Sequence, residues 1–299
     1  MHFHKVAVLY GGDSSEREVS LQSGEAVATV LKKAGLNIYL FDPSCEPLEN
    51  LKKIGVEVVF NLLHGGWGEN GEIQAALHML GISQTGSKAK ACMLAFDKYL
   101  TKLIWQSIGL KTAPFSLIRE EGDLNKAEAL GFPLFLKPLT EGSSVGVRKV
   151  KSKQELIQEF SQLKKQHPVL IAEEFLNGGE YSCAIVGETA LPVIKIEPTN
   201  EFYDYESKYL RNDTRYLCPA LLTEQEEKIS QSLAKSAFAS VGGEGFGRVD
   251  FMRNAQGDFS LLEINMVPGM TSHSLMPMAA KVAGLSFQEL CLRILSYAS

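Results

Sequence analysis

The sequence predicts an α/β protein that becomes α+β in its later part, and two patterns carry that reading. Over residues 1 to about 90, apolar strand segments run into glycine turns and then into helical spacing. That order of signals is expected of a parallel sheet with crossover helices. Near the end, Phe246-Gly-Arg-Val-Asp-Phe-Met and Leu261-Leu-Glu-Ile-Asn alternate with period two around the turn signal Asn254-Ala-Gln-Gly-Asp258. Those two runs read as an antiparallel hairpin. At 299 residues the chain has room for two or three domains and a sizeable core.

Composition narrows the class. Hydrophobic residues make up 45% and charged residues 22%, as in an ordinary globular protein, and a net charge of −5 argues against a nucleic-acid surface. The five cysteines are scattered without a C-x-x-C pair, which fits a reducing cytoplasm and neither a disulfide framework nor a zinc site. The first apolar run, Val6-Ala-Val-Leu9, is too short for a signal peptide or a membrane helix.

In chain order, Val6–Tyr10 reads as a buried parallel strand. Gly11-Gly-Asp-Ser-Ser-Glu-Arg-Glu-Val-Ser20 turns it into a helix, with Ser15 and Glu18 at capping-box spacing. A glycine turn at a helix N-terminus serves structure and ligand alike, and Glu16 sits at its mouth. Strands Ile38–Phe41 and Val56–Phe60 follow, then a second glycine loop, Leu63-His-Gly-Gly-Trp-Gly-Glu-Asn-Gly71, and a helix over 72–80. Lys88 to Gly109 reads as one helix with Leu94, Tyr99, Leu103 and Ile104 inward and Lys98 on another side.

Thr112-Ala-Pro-Phe opens a second unit. Strand Leu134–Lys137 leads to Thr140-Glu-Gly-Ser-Ser-Val-Gly-Val147, a small-residue loop with a lysine at its entrance. It lacks the Walker A pattern, yet backbone N–H groups and serine hydroxyls in such a hairpin can close over phosphates. A plain glycine hairpin fits it equally. Helix 153–165, strand Val169–Ala172 and strand Tyr181–Val186 flank the acidic bend Glu173-Glu-Phe-Leu-Asn-Gly-Gly-Glu180. Residues 200–216 are polar and aromatic with no clean period, which suggests a functional loop of the lid type. Helices 223–240 and 285–297 read as structural.

The hairpin carries the chemistry. Period two puts Arg248 and Asp250 on one face, Glu263 and Asn265 on one face, and Val249, Phe251, Leu262 and Ile264 on the core side. Two carboxylates and an amide oxygen suit a hard divalent cation such as Mg²⁺. A salt-bridged sheet surface is the competing reading of such a pair.

Taken together, four segments in register resemble the D-alanine–D-alanine ligases of the ATP-grasp superfamily: Gly11–Ser20, His64–Gly71, Lys137–Gly146 and Glu263–Thr271, with Tyr205-Glu-Ser-Lys-Tyr209 as a fifth. Asn70 departs from the family's frequent Asp, and Met266-Val267 from its usual Thr plus small residue. The resemblance implies an ATP-grasp fold in three domains, 1–90, 91–180 and 181–299, with a lid at 200–216. It implies that ATP drives the joining of two D-alanines through a D-alanyl phosphate, for peptidoglycan precursors. D-Lactate or D-serine as acceptor, or a nucleotide-binding regulator without turnover, are the alternatives.

By the same resemblance, Lys98 and Lys137 contact the ATP phosphates, the loop with Ser143 and Ser144 covers them, and Glu173, Glu174, Phe175, Leu176 and Phe202 meet the adenine. Glu180 holds the ribose, and Asp250, Glu263 and Asn265 hold two Mg²⁺ or Mn²⁺ ions. Glu16, hydrogen-bonded to Ser143 and Tyr209, takes the ammonium of the first D-alanine beside His64. Arg248 and the Gly269 N–H hold the reacting oxygens, and Lys208 and Ser274 take the second carboxylate. A cytoplasmic homodimer completes the implied picture.

Overall fold

The computed structural model describes residues 3–142, 145–198, 214–254 and 256–299. Three sheets organise them. The first orders β2-β1-β3-β4 from β1 (Lys5–Leu9), β2 (Asn37–Phe41), β3 (Val58–Asn61) and β4 (Ser83–Gln84), all parallel. Helices α1 (Arg17–Lys33), α2 (Asn50–Lys53) and α3 (Glu72–Met79) make its crossovers. Ala7, Leu9, Val59 and Ile73 pack on one face. Val6, Val8 and Phe60 pack on the other, in a core shared with helices α9 (Leu275–Val282) and α10 (Phe287–Ser296) at the chain's end.

The second sheet, antiparallel, orders β5-β8-β6-β7 from β5 (Phe115–Ile118), β6 (Leu134–Pro138), β7 (Arg148–Val150) and β8 (Leu170–Glu174). Helices α6 (Leu124–Glu128) and α7 (Lys153–Leu163) cover one face, and Leu134, Leu136, Leu156, Phe160 and Ala172 fill that core. Alternation then turns Phe135, Lys137 and Glu173 to the opposite face. The third sheet orders β12-β11-β9-β13-β14, with β9 (Glu180–Val186), β10 (Thr189–Ala190) on its side, β11 (Ile194–Glu197), β12 (Arg215–Leu217), β13 (Phe246–Arg253) and β14 (Phe259–Asn265). Behind it, α8 (Glu224–Ser240) packs Ala234, Ala237 and Phe238 against Val249 and Phe251.

Several expectations need correction. Residues 88–109 form two helices, α4 (Ala89–Phe96) and α5 (Lys98–Ser107), because Asp97 leaves the helical region and its side chain accepts from the Leu100 N–H as an N-cap. The break turns Leu103 outward and gives the interior to Thr101, Lys102 and Trp105. No capping box forms at Ser15 and Glu18: α1 starts at Arg17, and it is Ser14 whose hydroxyl accepts from the Glu16 N–H and donates to the His64 carbonyl. The proposed 200–216 loop is too long, since Arg215–Leu217 pairs with Lys195–Glu197 as β12. Residues 200–213 of it lie outside the described residues.

All five cysteines are free thiols; burial raises Cys92 and Cys291 to about 12, so neither supplies a ready thiolate. Among the described residues, no helix is long and apolar enough to cross a membrane.

Candidate active site

The hairpin forms as the alternation requires, with one irregularity. Arg248 stands opposite Asn265 and Asp250 opposite Glu263, and the register shifts between Asp250 and Phe251. Next in the ladder, Phe251 faces Leu261, so Leu262 is the extra residue of a bulge. Leu261, not Leu262, therefore enters the core, while Leu262 lines a cavity beside Glu263. This corrects the expected place of Leu262.

Two cavities meet at this hairpin. One, of about 260 Å³, is walled by Phe135, Val147, Phe175, Leu176, Met252 and Leu262, with Lys137, Glu173, Glu174 and Glu180 as its polar groups. The other, of about 490 Å³, is lined by Glu16, His64, Glu69, Arg248, Asn265, Gly269 and Ser274. Lys98, Glu141 and Glu263 line both. Lys98 donates to the Glu141 carbonyl, which ties the start of α5 to the entrance of the small-residue loop.

In the smaller cavity, Lys137 Nζ lies 2.8 Å from Glu173 Oε2, and Lys102 Nζ lies 3.5 Å from Glu173 Oε1. Burial alone would raise the Glu173 carboxyl, but these two ammoniums hold it down at about 2. Burial works against Lys137 as well, and the Glu173 carboxylate overrides it, keeping the ammonium charged. Phe175 contacts both Lys149, 4.0 Å from its ring centroid, and the tilted ring of Phe135, at 5.5 Å between centroids. Flat apolar walls around a few charges fit a nucleotide better than a peptide or sugar.

In the larger cavity, Glu16 occupies the N-cap position of α1, with no capping hydrogen bond from its side chain, and is buried. Its carboxylate lies between the glycine loops: a Cβ on Gly65 would stand 2.9 Å from Oε2, and one on Gly142 3.1 Å. Ser14 braces the same place through its 2.5 Å hydrogen bond to the His64 carbonyl. His64 is buried with Nε2 at 3.4 Å from Ser23 Oγ and Nδ1 at 3.7 Å from Glu69. Ser23 Oγ also accepts from the Met270 N–H at 3.1 Å, which joins α1 to the Gly269 turn. Glu69 had no assigned role from sequence, although it lies inside the His64–Gly71 motif. Burial, with Glu16 adding repulsion, raises its carboxyl pKa.

On the hairpin, Arg248 grips Asp250 with Nη2 at 2.8 Å and Nε at 2.9 Å, and Ser182 donates to the same carboxylate at 2.6 Å. Asn265 Oδ1 accepts from the Val267 N–H at 3.0 Å. Ser274 opens α9 and accepts from the Thr271 N–H at 3.0 Å. Among the described residues no three His, Cys, Asp or Glu side chains gather for a metal. A cation here would rely on Asp250, Glu263 and the Asn265 amide, an all-oxygen set that fits Mg²⁺ or Mn²⁺.

The two sequence departures are absorbed locally. Asn70 accepts from the Glu72 N–H at 3.0 Å at the start of α3, and Met266 and Val267 are buried, with Ser87 Oγ at 3.3 Å from the Met266 sulfur. Thus Glu16, His64, Lys98, Lys137, Glu173, Glu174, Phe175, Leu176, Glu180, Arg248, Glu263, Asn265, Gly269 and Ser274 all line one connected cleft, with Asp250 buried behind Arg248. Ser143, Ser144, Phe202, Lys208 and Tyr209 lie outside the described residues.

Two antiparallel sheets facing each other across a lysine- and carboxylate-lined cleft, beside a parallel-sheet unit, define an ATP-grasp protein. The family model described as "D-ala D-ala ligase C-terminus" matches residues 104–296. Over 294 residues the chain is 50% identical to D-alanine–D-alanine ligase B of Chromobacterium violaceum, covering 98% of this chain and 97% of that one. It therefore belongs to the D-alanine–D-alanine ligase family. Among solved structures, it is similar to the VanG D-Ala:D-Ser ligase of Enterococcus faecalis (TM-score 0.87, 29% identity, 99% of each chain). It is also similar to the D-alanine–D-alanine ligase of Bacillus anthracis complexed with ATP (TM-score 0.86, 28% identity, 99% of this chain and 97% of that one).

Proposed function

We infer that the protein is an ATP-dependent ligase that joins two D-alanines into D-alanyl-D-alanine, releasing ADP and phosphate, for peptidoglycan precursors. One observation carries the geometry: Lys98, Glu141 and Glu263 line both cavities, so a phosphoryl group leaving the nucleotide cavity enters the one that holds Glu16 and Arg248. A carboxylate is a poor acyl donor, and transfer of the γ-phosphoryl to it makes a D-alanyl phosphate.

Each group then has a task. Phe175 and Leu176, with Glu173, Glu174 and Phe202, receive the adenine, Glu180 the ribose, and Lys98 and Lys137 the phosphates, under the loop of Ser143 and Ser144. Glu16, with His64, Ser143 and Tyr209, orients the first D-alanine by its ammonium. Lys208 and Ser274 take the carboxylate of the second, the latter at the positive end of α9. When the second amine attacks, the Arg248 guanidinium and the Gly269 N–H face the oxyanion, a contact that is worth about 3–4 kcal/mol when one such donor is removed. Asp250, Glu263 and Asn265 would hold two Mg²⁺ or Mn²⁺ ions, whose chemistry is to neutralise charge on the phosphates.

The reading extends to three domains, 1–90, 91–180 and 181–299, to a homodimer and to the cytoplasm, on the family resemblance. D-Alanine is favoured over D-serine as acceptor because the relative at 50% identity is a D-alanine–D-alanine ligase, while the D-Ala:D-Ser ligase stands at 29%. The test is ADP and phosphate release by the purified protein with ATP, Mg²⁺ and D-alanine, with D-serine and D-lactate as competing acceptors. D-Alanine-dependent release with dipeptide as the main product is expected. No D-alanine dependence, or a mixed product dominated by either competitor, would overturn it.

A further inference from the structure

We infer that Lys102 is a positioning residue: buried behind the nucleotide cavity, it holds Glu173 and so aims Lys137 at the phosphates. This rests on the ATP-dependent reading above. Lys102 has no exposed surface and is not part of the cavity lining. Its ammonium donates to the Thr112 hydroxyl at 2.7 Å and faces Glu173 Oε1 at 3.5 Å. The Thr112 hydroxyl donates in turn to the Leu261 carbonyl at 2.8 Å, and the Leu261 N–H donates to the Lys111 carbonyl at 2.9 Å. Glu173 Oε2 accepts from Lys137 at 2.8 Å.

The contacts make one chain: Leu261 carbonyl, Thr112, Lys102, Glu173, Lys137. It begins on β14, two residues before Glu263, and ends on β6. Those strands belong to the two sheets that wall the nucleotide cavity. Lys102 thus fixes the phosphate-facing lysine of one wall relative to the metal-facing carboxylate of the other.

Stability alone does not account for a lysine here. A buried ion pair is weak support for a fold, and an apolar side chain of similar size in its place is often neutral or stabilising. Burial pushes the Lys102 ammonium toward neutrality, with the Glu173 carboxylate opposing it. What a hydrophobe cannot do is hold both a carboxylate and a hydroxyl.

The experiment measures KM for ATP and for D-alanine separately in the full-length protein, with thermal midpoints as control. Thr112→Val keeps the shape and removes the hydroxyl, Thr112→Ser keeps the hydroxyl, and Lys102→Met removes the ammonium. Loss of one charge-assisted contact should raise KM for ATP about tenfold in Lys102→Met and about fivefold in Thr112→Val. Thr112→Ser should stay within about twofold of wild type, as should KM for D-alanine throughout. The double variant should lose no more than Lys102→Met, because both changes cut one chain.

An unchanged KM for ATP in Thr112→Val, or KM values rising together for both substrates, would overturn the inference. If Lys102→Met does not fold, the Thr112 pair decides it. A wild-type protein that hydrolyses no ATP with D-alanine would instead sink the ligase reading, and calorimetric ATP binding by the same variants would still test Lys102.

Discussion

Asp250 and Glu263 stand directly opposite each other across the β13–β14 ladder, and the register breaks immediately beyond them. Facing carboxylates repel, and cations relieve this pair: the Arg248 guanidinium lies on Asp250, and the Lys137 ammonium attracts Glu263 from across the cleft. Arg248 and Ser182 occupy Asp250, while Glu263 remains at the junction of the two cavities. A cation between the two walls would complete the set. Glu263→Gln, nearly isosteric and one charge poorer, should keep the wild-type thermal midpoint and lose most turnover at ordinary Mg²⁺. Wild-type turnover in that variant would remove Glu263 from the metal role.

The bulge makes a second prediction, because strict alternation and the observed ladder assign adjacent leucines differently. Leu261 is fully buried, so Leu261→Ala should cost about 2–5 kcal/mol of stability. Leu262 lines the cavity beside Glu263, so Leu262→Ala should cost less than about 1.5 kcal/mol while raising KM for ATP. Denaturant midpoints and ATP kinetics of the two variants check it. The opposite ranking would mean that the register is continuous.

That contrast marks how far the sequence could be read. Wherever one period ran unbroken, the reading held: Val6, Val8, Val59 and Phe60 are interior, and Arg248, Asp250, Glu263 and Asn265 share a face. It failed where one residue changed the phase. Asp97 ends α4 by capping α5, and Leu262 is inserted in β14. Neither is visible as a break in hydrophobicity. Lys102 was missed for a related reason: a lysine on a helix reads as solvated, and only the tertiary placement of Glu173 and Thr112 makes its burial tolerable. The short strands β4, β5, β11 and β12 carry too few residues to show a period.

Acid stability should report on the buried charge cluster. Glu173 is held at about 2 against an ordinary 4.5, so the unfolded chain takes up its proton first as pH falls. The carboxylate's contribution is therefore full above about 4.5 and is lost as the pH falls toward about 2. A shift of that size corresponds to roughly 3 kcal/mol. Glu173→Gln should be less stable than wild type by an amount of that order at pH 7, and the gap should narrow steadily below pH 4.5. Urea unfolding of both proteins from pH 7 to pH 3 measures it. A gap of constant size would mean that Glu173 does not gain its stability as an anion.

The last prediction isolates Glu16 without touching it. Gly142 has a backbone that any residue can adopt, unlike Gly65, whose φ of +70° would strain an alanine by itself. A methyl on Gly142 would stand 3.1 Å from Glu16 Oε2, close enough to press on the carboxylate and too far to displace the loop. Gly142→Ala should therefore fold normally, and it should leave KM for ATP near wild type, because among the described residues its Cβ meets no other atom within 4 Å. If Glu16 receives the ammonium of the first D-alanine, a displacement of a few tenths of an ångström weakens that charge-assisted contact and raises the KM of the first D-alanine site by about fivefold to twentyfold. Gly122→Ala, whose Cβ would come no nearer than 3.8 Å to the Glu120 side chain, is the control and should change nothing. Substrate-saturation curves resolved into the two D-alanine sites make the measurement. Should ATP be the substrate whose KM rises in Gly142→Ala, the loop's contact with Glu16 serves nucleotide closure, and the first D-alanine is oriented by other groups.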